Sequence, residues 1–163
     1  MTHFTQLDSP IGTLTLTSDG DSLTGLHMHP AKIGRDWKRD DRASIFREAK
    51  KQLEEYFSGA RTRFDLPLAP QGTPFQLKVW EALREIPYGE TRSYADIARY
   101  VGSPKGFRAV GLANGANPIA IVVPCHRVIG ADGSLTGFGG GLPRKRKLLE
   151  LERRDSPTLW DQR

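Results

Sequence analysis

The chain has a single cysteine, in the stretch "IAIVVPCHRVIG" at residues 119–130. Five apolar residues run to Pro124, and Cys125, His126 and Arg127 follow before a second apolar turn. A thiolate is a nucleophile, but a free thiol with a pKa of about 8.5 is mostly protonated at neutral pH, so a reactive cysteine needs a base or a positive field. A histidine supplies the base, and a third group that fixes the imidazole completes the set. The run before Pro124 looks strand-like, and neighbours on an extended backbone point to opposite sides. His126 is therefore not expected to touch Cys125 directly, and a water could bridge them. The candidate third group is Glu152. In "PRKRKLLELERR" it lies four residues after Leu148 and three after Leu149, beside the apolar stripe of a helix. A carboxylate there is costly unless paired, so a salt bridge to a nearby Lys or Arg and the orientation of a histidine both remain open. Asn117 precedes Pro118, where an amide can tie down a turn. On residue types alone, a packed and inert thiol at Cys125 and a satisfied histidine at 126 explain the stretch as well.

Those residues have to be held by a fold of modest size. At 163 residues the chain makes one domain or two small ones. Residues 1–30 read as strands: "IGTLTLTS" alternates, Asp19-Gly20 signals a turn, and "SLTGLHM" follows at hairpin distance. Residues 43–57 place Ile45, Phe46, Ala49, Leu53, Tyr56 and Phe57 on one helical face, with Gly59 able to end the helix. The Pro-rich "TRFDLPLAPQG" is the expected seam. Beyond it, Thr73, Pro74 and Gln76 form a helix-start signal, with Phe75, Val79, Trp80, Leu83 and Ile86 as the apolar stripe. Ser93 caps a short helix with Asp96 at the capping-box position, and Gly102 closes it. Ser103-Pro104 opens the next helix, "PKGFRAVGLANG". The expectation is an α+β protein. Residues 1–72 form a small domain with an antiparallel sheet and a helix. Residues 73–163 form an α-helical domain containing a helix-turn-helix.

Composition narrows the function. One cysteine cannot form an intramolecular disulfide or a thiolate-built zinc site. A reducing, cytoplasmic compartment fits, and neither metal nor cofactor is expected. No apolar run reaches the length of a membrane span, and "MTHFTQLDSPIG" lacks the regions of a secretory signal. The net charge of +5 and pI near 9.6 point mildly to nucleic acid. The helix holding Arg108 is unusual: Ala109, Gly111, Ala113, Gly115 and Ala116 are all small, although a glycine costs roughly 1 kcal/mol in a helix interior. Either another backbone comes close from outside, or the helix packs tightly inside the protein.

"PCHRVIG", with "NGANPIAIVVP" before it and "GGGLPRKRKLLELE" after, resembles the signature of the O6-alkylguanine-DNA alkyltransferases, the methylated-DNA–protein-cysteine methyltransferases of bacteria. The likeness runs almost continuously from Thr73 to Glu152 and includes "GTPFQLKVWEALREIPYGETRSYADIA"; the first half resembles the family's less specific N-terminal domain. The resemblance implies removal of alkyl groups from O6 of guanine, or O4 of thymine, in double-stranded DNA, with the target base flipped out. Cys125 would be the acceptor, His126 the base through a water, Glu152 its anchor and Asn117 the brace of the turn. Tyr94 would help rotate the nucleotide and act on the base, and Arg108 would fill the gap it leaves. Ala95, Ser103 and Ala131 would meet phosphates. Tyr94, Asn114, Val128, Phe138 and Gly139 would line the pocket. The helix-turn-helix would enter the minor groove of the alkylated DNA, as a monomer, with cooperative binding left open. Asn114 and Phe138 sit where relatives often have Met and Tyr. The competing expectation is a lesion sensor that binds and signals without transfer; a cysteine hydrolase stands third.

Overall fold

The computed structural model describes residues 1–28, 33–136, 138 and 140–155. By its internal contacts the chain divides into two compact units. One is Met1–Gln71 with Pro118–Ala120; the other is Gly72–Asn117 with Ile121–Arg163. The architecture is α+β, with the sheet in the first unit and most helices in the second. No helix among the described residues is long and apolar enough to cross a membrane.

The first unit is built on strands β1 (His3–Ser9), β2 (Gly12–Ser18) and β3 (Leu23–His27), an antiparallel meander. A two-residue strand β4 (Lys38–Arg39) joins the edge parallel to β1, giving the order β3-β2-β1-β4. The register sets Leu14 opposite Leu7, and Leu16 opposite both Thr5 and Leu26, so these side chains share a face. Leu14, Leu16 and Leu26 are buried. Thr15 and Thr17 on the other face of β2 are buried too, so the central strand does not follow the half-buried pattern that its Leu–Thr alternation suggests. Helix α1 (Ser44–Phe57) packs on β1 and β2 through Ile45, Phe46, Ala49, Leu53 and Tyr56. Phe57, expected on that face, is only half-buried.

Gln52 lies inside this apolar stripe and is buried. Its amide Nε2 donates to the Asp65 carbonyl at 2.9 Å, and its Oε1 accepts the Asp65 N–H at 2.8 Å. One side chain thus satisfies both backbone groups of a connector residue. The connector is more than a seam: the Leu23 N–H donates to Pro67 O and the Ala69 N–H to Leu23 O, laying it along β3. Residues 118–120 do the same further on, through Leu26 N–H to Pro118 O and Ala120 N–H to Leu26 O.

In the second unit, helix α2 (Pro74–Arg84) starts with a full capping box between Thr73 and Gln76, with Pro74 inside it. Strand β5 (Arg92–Ser93) leads directly into α3 (Tyr94–Tyr100), whose start is a second capping box, Ser93 with Asp96. Gly102 follows α3 at φ +80°, a conformation that side chains with a Cβ avoid. Helix α4 (Phe107–Gly115) begins later than expected. Residues 103–106 form a turn closed by Gly106 N–H to Ser103 O at 2.7 Å, and no side chain caps the helix. The Ser-Pro signal thus starts a turn and not the helix. Trp80 Nε1 donates to Ala113 O at 2.8 Å, tying α2 to α4. Helix α5 (Leu142–Asp155) completes the unit.

Replacing Gln52 with leucine keeps the stripe apolar but strands the Asp65 N–H and carbonyl. Asp65 is itself exposed, so each of the two hydrogen bonds lost is worth the net value of about 1 kcal/mol. Gln52→Leu should therefore lower the urea midpoint by an amount worth about 2 kcal/mol at unchanged slope. A midpoint equal to wild type would show that water replaces the amide.

Candidate active site

The apolar run before Pro124 is not a strand. Residues 120–123 turn, and Ile121 has φ +70°, a strained position for a β-branched residue. Two hydrogen bonds hold the turn through one carbonyl: Asn117 Nδ2 and the Cys125 N–H both donate to Val123 O at 2.8 Å. All five apolar side chains are buried, so the run is apolar because it is enclosed, a case that periodicity cannot separate from a strand. Cys125–Arg127 is a single 3₁₀ turn, not extended chain. Adjacent side chains in such a turn lie about 120° apart, so His126 still points away from Cys125. Strand β6 (Val128–Ile129) follows and pairs in parallel with β5, setting Val128 beside Arg92 and Ile129 beside Ser93. That pairing brings the start of α3, with Tyr94, to the end of the cysteine segment.

Glu152 is the anchor of this segment, and it is buried. Its Oε2 lies 2.7 Å from His126 Nε2 and accepts from Arg127 Nη2 at 3.1 Å; its Oε1 accepts from Arg127 Nε at 2.8 Å. The Gly89 N–H approaches Oε1 at 3.5 Å. Glu152 thus pairs an arginine and contacts the histidine at once. Arg127 also donates to Ile86 O at 2.7 Å and lies over the Tyr88 ring at 5.7 Å. Burial alone would raise the Glu152 pKa; the neighbouring His126 and Arg127 outweigh it and hold the carboxyl well below the usual range.

An ionised carboxylate only accepts hydrogen bonds, so Nε2 carries the imidazole proton. Burial, the largest influence, depresses the His126 pKa despite Glu152. The ring is therefore neutral, with the lone pair on Nδ1. That atom is buried and has no hydrogen-bond partner. Cys125 is buried as well. Burial pushes its thiol up, while a hydrogen bond from Asn117 and the charge of Lys145 pull the other way.

Lys145 escaped the sequence reading. It is fully buried, and Nζ donates to Val128 O at 2.6 Å and Thr136 O at 2.8 Å. Desolvation brings its pKa down to about 8. The signal was present: Lys145 falls three and four residues before Leu148 and Leu149 and seven before Glu152, on the same stripe. Asn114 is buried on α4, and its Nδ2 donates to Cys125 O at 3.4 Å. Val128 is buried; Phe138 is half-buried, its ring 6.0 Å from Lys145 Nζ. Gly139 lies outside the described residues. No three His, Cys, Asp or Glu among the described residues gather where they could hold a metal.

Tyr94 is half-buried at the start of α3, and its hydroxyl donates to Thr136 O at 3.1 Å. Ala95 follows it on α3. Ser103 sits in the turn before α4, and Ala131 is exposed after β6. Arg108 is exposed on α4, with no ion pair or hydrogen bond among the described residues. The small residues of α4 are mostly unexplained by packing within the protein. A Cβ on Gly115 would meet nothing within 4 Å, and one on Gly111 only the Tyr94 ring at 3.9 Å. Ala109 and Ala116 are exposed, and only Ala113 is buried. Residues 97–131 contain no Asp or Glu, while Arg99, Lys105, Arg108 and Arg127 fall within them.

Comparison with known proteins adds to this geometry. Residues 74–154 match the DNA-binding domain of 6-O-methylguanine DNA methyltransferase, and residues 2–70 match the ribonuclease-like domain of the same family. A methylated-DNA–protein-cysteine methyltransferase of Mycolicibacterium paratuberculosis is 55% identical, over 99% of this chain and 100% of that protein. One from Methanosarcina acetivorans is 51% identical, over 92% of this chain and 97% of that protein. A crystal structure of Mycobacterium tuberculosis OGT in complex with DNA superposes with a TM-score of 0.89 at 55% identity, covering 96% of each chain. With both family domains matched along its length and more than half of its residues shared with such relatives, the chain belongs to the 6-O-methylguanine DNA methyltransferase family.

Proposed function

We propose that this chain repairs alkylated DNA directly, moving the alkyl group from O6 of guanine, and less readily from O4 of thymine, onto Cys125. Cys125 Sγ bonds to the alkyl carbon as the carbon–oxygen bond breaks. The thiol proton passes through a water to His126 Nδ1, the freed oxygen takes up a proton from the Tyr94 hydroxyl, and the imidazolium returns its proton through water to the tyrosinate, so that both side chains end as they began. The products are neutral base and a thioether, which has no easy route back. The observation that carries the proposal is the geometry of His126, its Nε2 held by Glu152 at 2.7 Å and its Nδ1 unpaired, next in sequence to the one buried thiol. A sensor that only binds lesions has no use for a base held in one tautomer.

DNA is the partner. Arg108, Gly111 and Gly115 present a slim, cationic helix face with no acidic residue near it in sequence, which suits close approach to a groove floor lined by phosphates. In this reading α3 and α4 form a helix-turn-helix that enters the minor groove, as a monomer in the cytoplasm. The relative from M. tuberculosis has been crystallised with DNA. Residues 73–163 supply binding and chemistry, and residues 1–72 a structural domain. Tyr94 turns the target nucleotide out and Arg108 takes its place, since an O6-alkyl group lies inside the duplex and the base must leave the stack. Ala95, Ser103 and Ala131 meet the phosphates. Asn114, Val128, Phe138 and Gly139 wall the pocket with Tyr94, and Asn117 braces the cysteine turn.

Incubation with a duplex containing O6-methylguanine should raise the intact mass of the protein by one methyl per chain, located at Cys125, with no further repair. Repair of several lesions per protein molecule would sink the assignment.

The pH profile should separate two routes to the nucleophile. If a free thiolate reacted, the rate would climb about tenfold per pH unit across neutral pH, because burial holds the thiol above its ordinary range. With His126 as base, held below its ordinary 6.5, the single-turnover rate should be flat between pH 6.5 and 8 and fall only at lower pH, as the imidazole protonates. A log-linear rise through that window would remove His126 from the mechanism.

Arg108→Ala should slow repair in duplex DNA by tenfold or more, since an unfilled stack costs a few kcal/mol in the flipped state. Transfer from free O6-alkylguanine base needs no flipping and should change by less than about twofold. Equal loss on both substrates would assign Arg108 to the fold.

A further inference from the structure

In the second unit, two buried side-chain atoms among the described residues have no hydrogen-bond partner: His126 Nδ1 and Asn114 Oδ1. Native proteins leave few such atoms, and each one calls for an explanation. The proposed proton transfer explains the first. The second has no part in that chemistry. Asn114 is 2% exposed, comes from the buried side of α4, and gives its Nδ2 to the carbonyl of Cys125 at 3.4 Å. That bond fixes the orientation of the amide, because a flip would set Oδ1 against the Cys125 carbonyl oxygen. Oδ1 is thus an acceptor held beside the reacting residue, and a buried acceptor left unpaired forfeits its hydration without compensation.

We infer that Asn114 Oδ1 is a specificity element that accepts a hydrogen bond from the 2-amino group of the alkylated guanine. This rests on the alkyltransferase reading above. The assignment follows from the donors that the substrate owns. Alkylation at O6 removes the N1 proton, so the exocyclic 2-amino group is the only N–H donor left on the base. O4-alkylthymine has lost its N3 proton in the same way and has no exocyclic amine. It offers no N–H donor at all. A pocket with an unsatisfied buried acceptor favours the first and leaves the acceptor stranded with the second. A site built to hydrogen-bond a group discriminates more sharply against an analogue lacking it than an apolar pocket does against a missing methylene. A methionine there, as relatives often have, supplies no comparable acceptor. The chain thereby acquires a preference for guanine lesions that does not come from pocket size.

The test compares single-turnover rates on two duplexes that differ in one group: O6-methylguanine, and O6-methylhypoxanthine, the same base without the 2-amino group. Each is run with wild type and with Asn114→Met, with Asn114→Leu as a second apolar replacement. Taking the ratio of ratios cancels the different ease of flipping the two bases. Wild type should prefer the guanine lesion by about tenfold or more, and the preference should shrink severalfold in both variants, the guanine rate falling by more than the hypoxanthine rate. Three outcomes overturn the inference: equal wild-type rates on the two bases, an unchanged preference in the variants, or an equal fall on both substrates. The last would mean that the amide serves only the Cys125 carbonyl. Absence of methyl transfer from either duplex to wild type is a different failure, that of the functional reading itself. If thermal melting shows a variant unfolded, the wild-type comparison still decides against the inference when its two rates are equal.

Discussion

A carboxylate taken out of water is tolerated only when its partners compensate, and Glu152 is the buried charge around which the second unit is arranged. It is satisfied from two consecutive residues of the 3₁₀ turn, His126 and Arg127, and approached by the Gly89 N–H. Arg127 passes the constraint on to the end of α2 through Ile86 O. Removing one member of such a set leaves an uncompensated charge, worth about 3–5 kcal/mol. The segment carrying Cys125 is therefore pinned to α5 by the interaction that also fixes the tautomer of His126. Structure and chemistry draw on the same bonds, so substitutions at Glu152 or Arg127 disturb both.

The rest of the site is under-satisfied by contrast. Gln52, buried in the first unit, spends both ends of its amide on Asp65. Around Cys125 the pattern reverses: two buried polar atoms lack partners, and Ile121 holds a positive φ. Burial acts on the nucleophile and the base in a consistent direction. It raises the thiol and lowers the imidazole, so both groups rest uncharged. An ion pair of thiolate and imidazolium is disfavoured until an alkyl carbon is in place, and Asn117 and Lys145 reduce that cost on the sulfur side. A site used once gains from a thiol that stays quiet while it waits.

What could be read from the sequence was mostly local. The two capping boxes, at Thr73–Gln76 and Ser93–Asp96, form as their residue types dictate, because the signal and the structure lie within four residues. The stripes of α1 and α2 follow their periodicity for the same reason. What escaped depends on distant partners. Gln52 and Lys145 sit at stripe positions and look like exceptions until Asp65, Val128 and Thr136 are seen to receive them. The 120–123 turn is apolar on every side, so its pattern carries no period. The β5–β6 pair is two residues long and joins segments 36 positions apart, as with Ser93 and Ile129; nothing in either dipeptide announces it. Residue chemistry singled out Cys125, His126 and Glu152 as candidates but left a packed, inert thiol equally open; the resemblance of the surrounding stretch to the alkyltransferases chose between the two readings.

That non-local part also governs how the site could open. The carbonyl of Thr136 receives two donors, Tyr94 Oη and Lys145 Nζ. If Tyr94 turns its hydroxyl to an incoming base, Thr136 O keeps Lys145 as a partner. The cost is then one exchanged hydrogen bond, about 1 kcal/mol net, and not the larger penalty of an orphaned acceptor. Lys145 also holds Val128 O, at the start of β6, so the segment from 128 to 136 stays tied at both ends while Tyr94 is released. A buried cation with a pKa near 8 is an expensive way to hold two carbonyls. It becomes economical where one of those carbonyls must give up its other donor during the reaction.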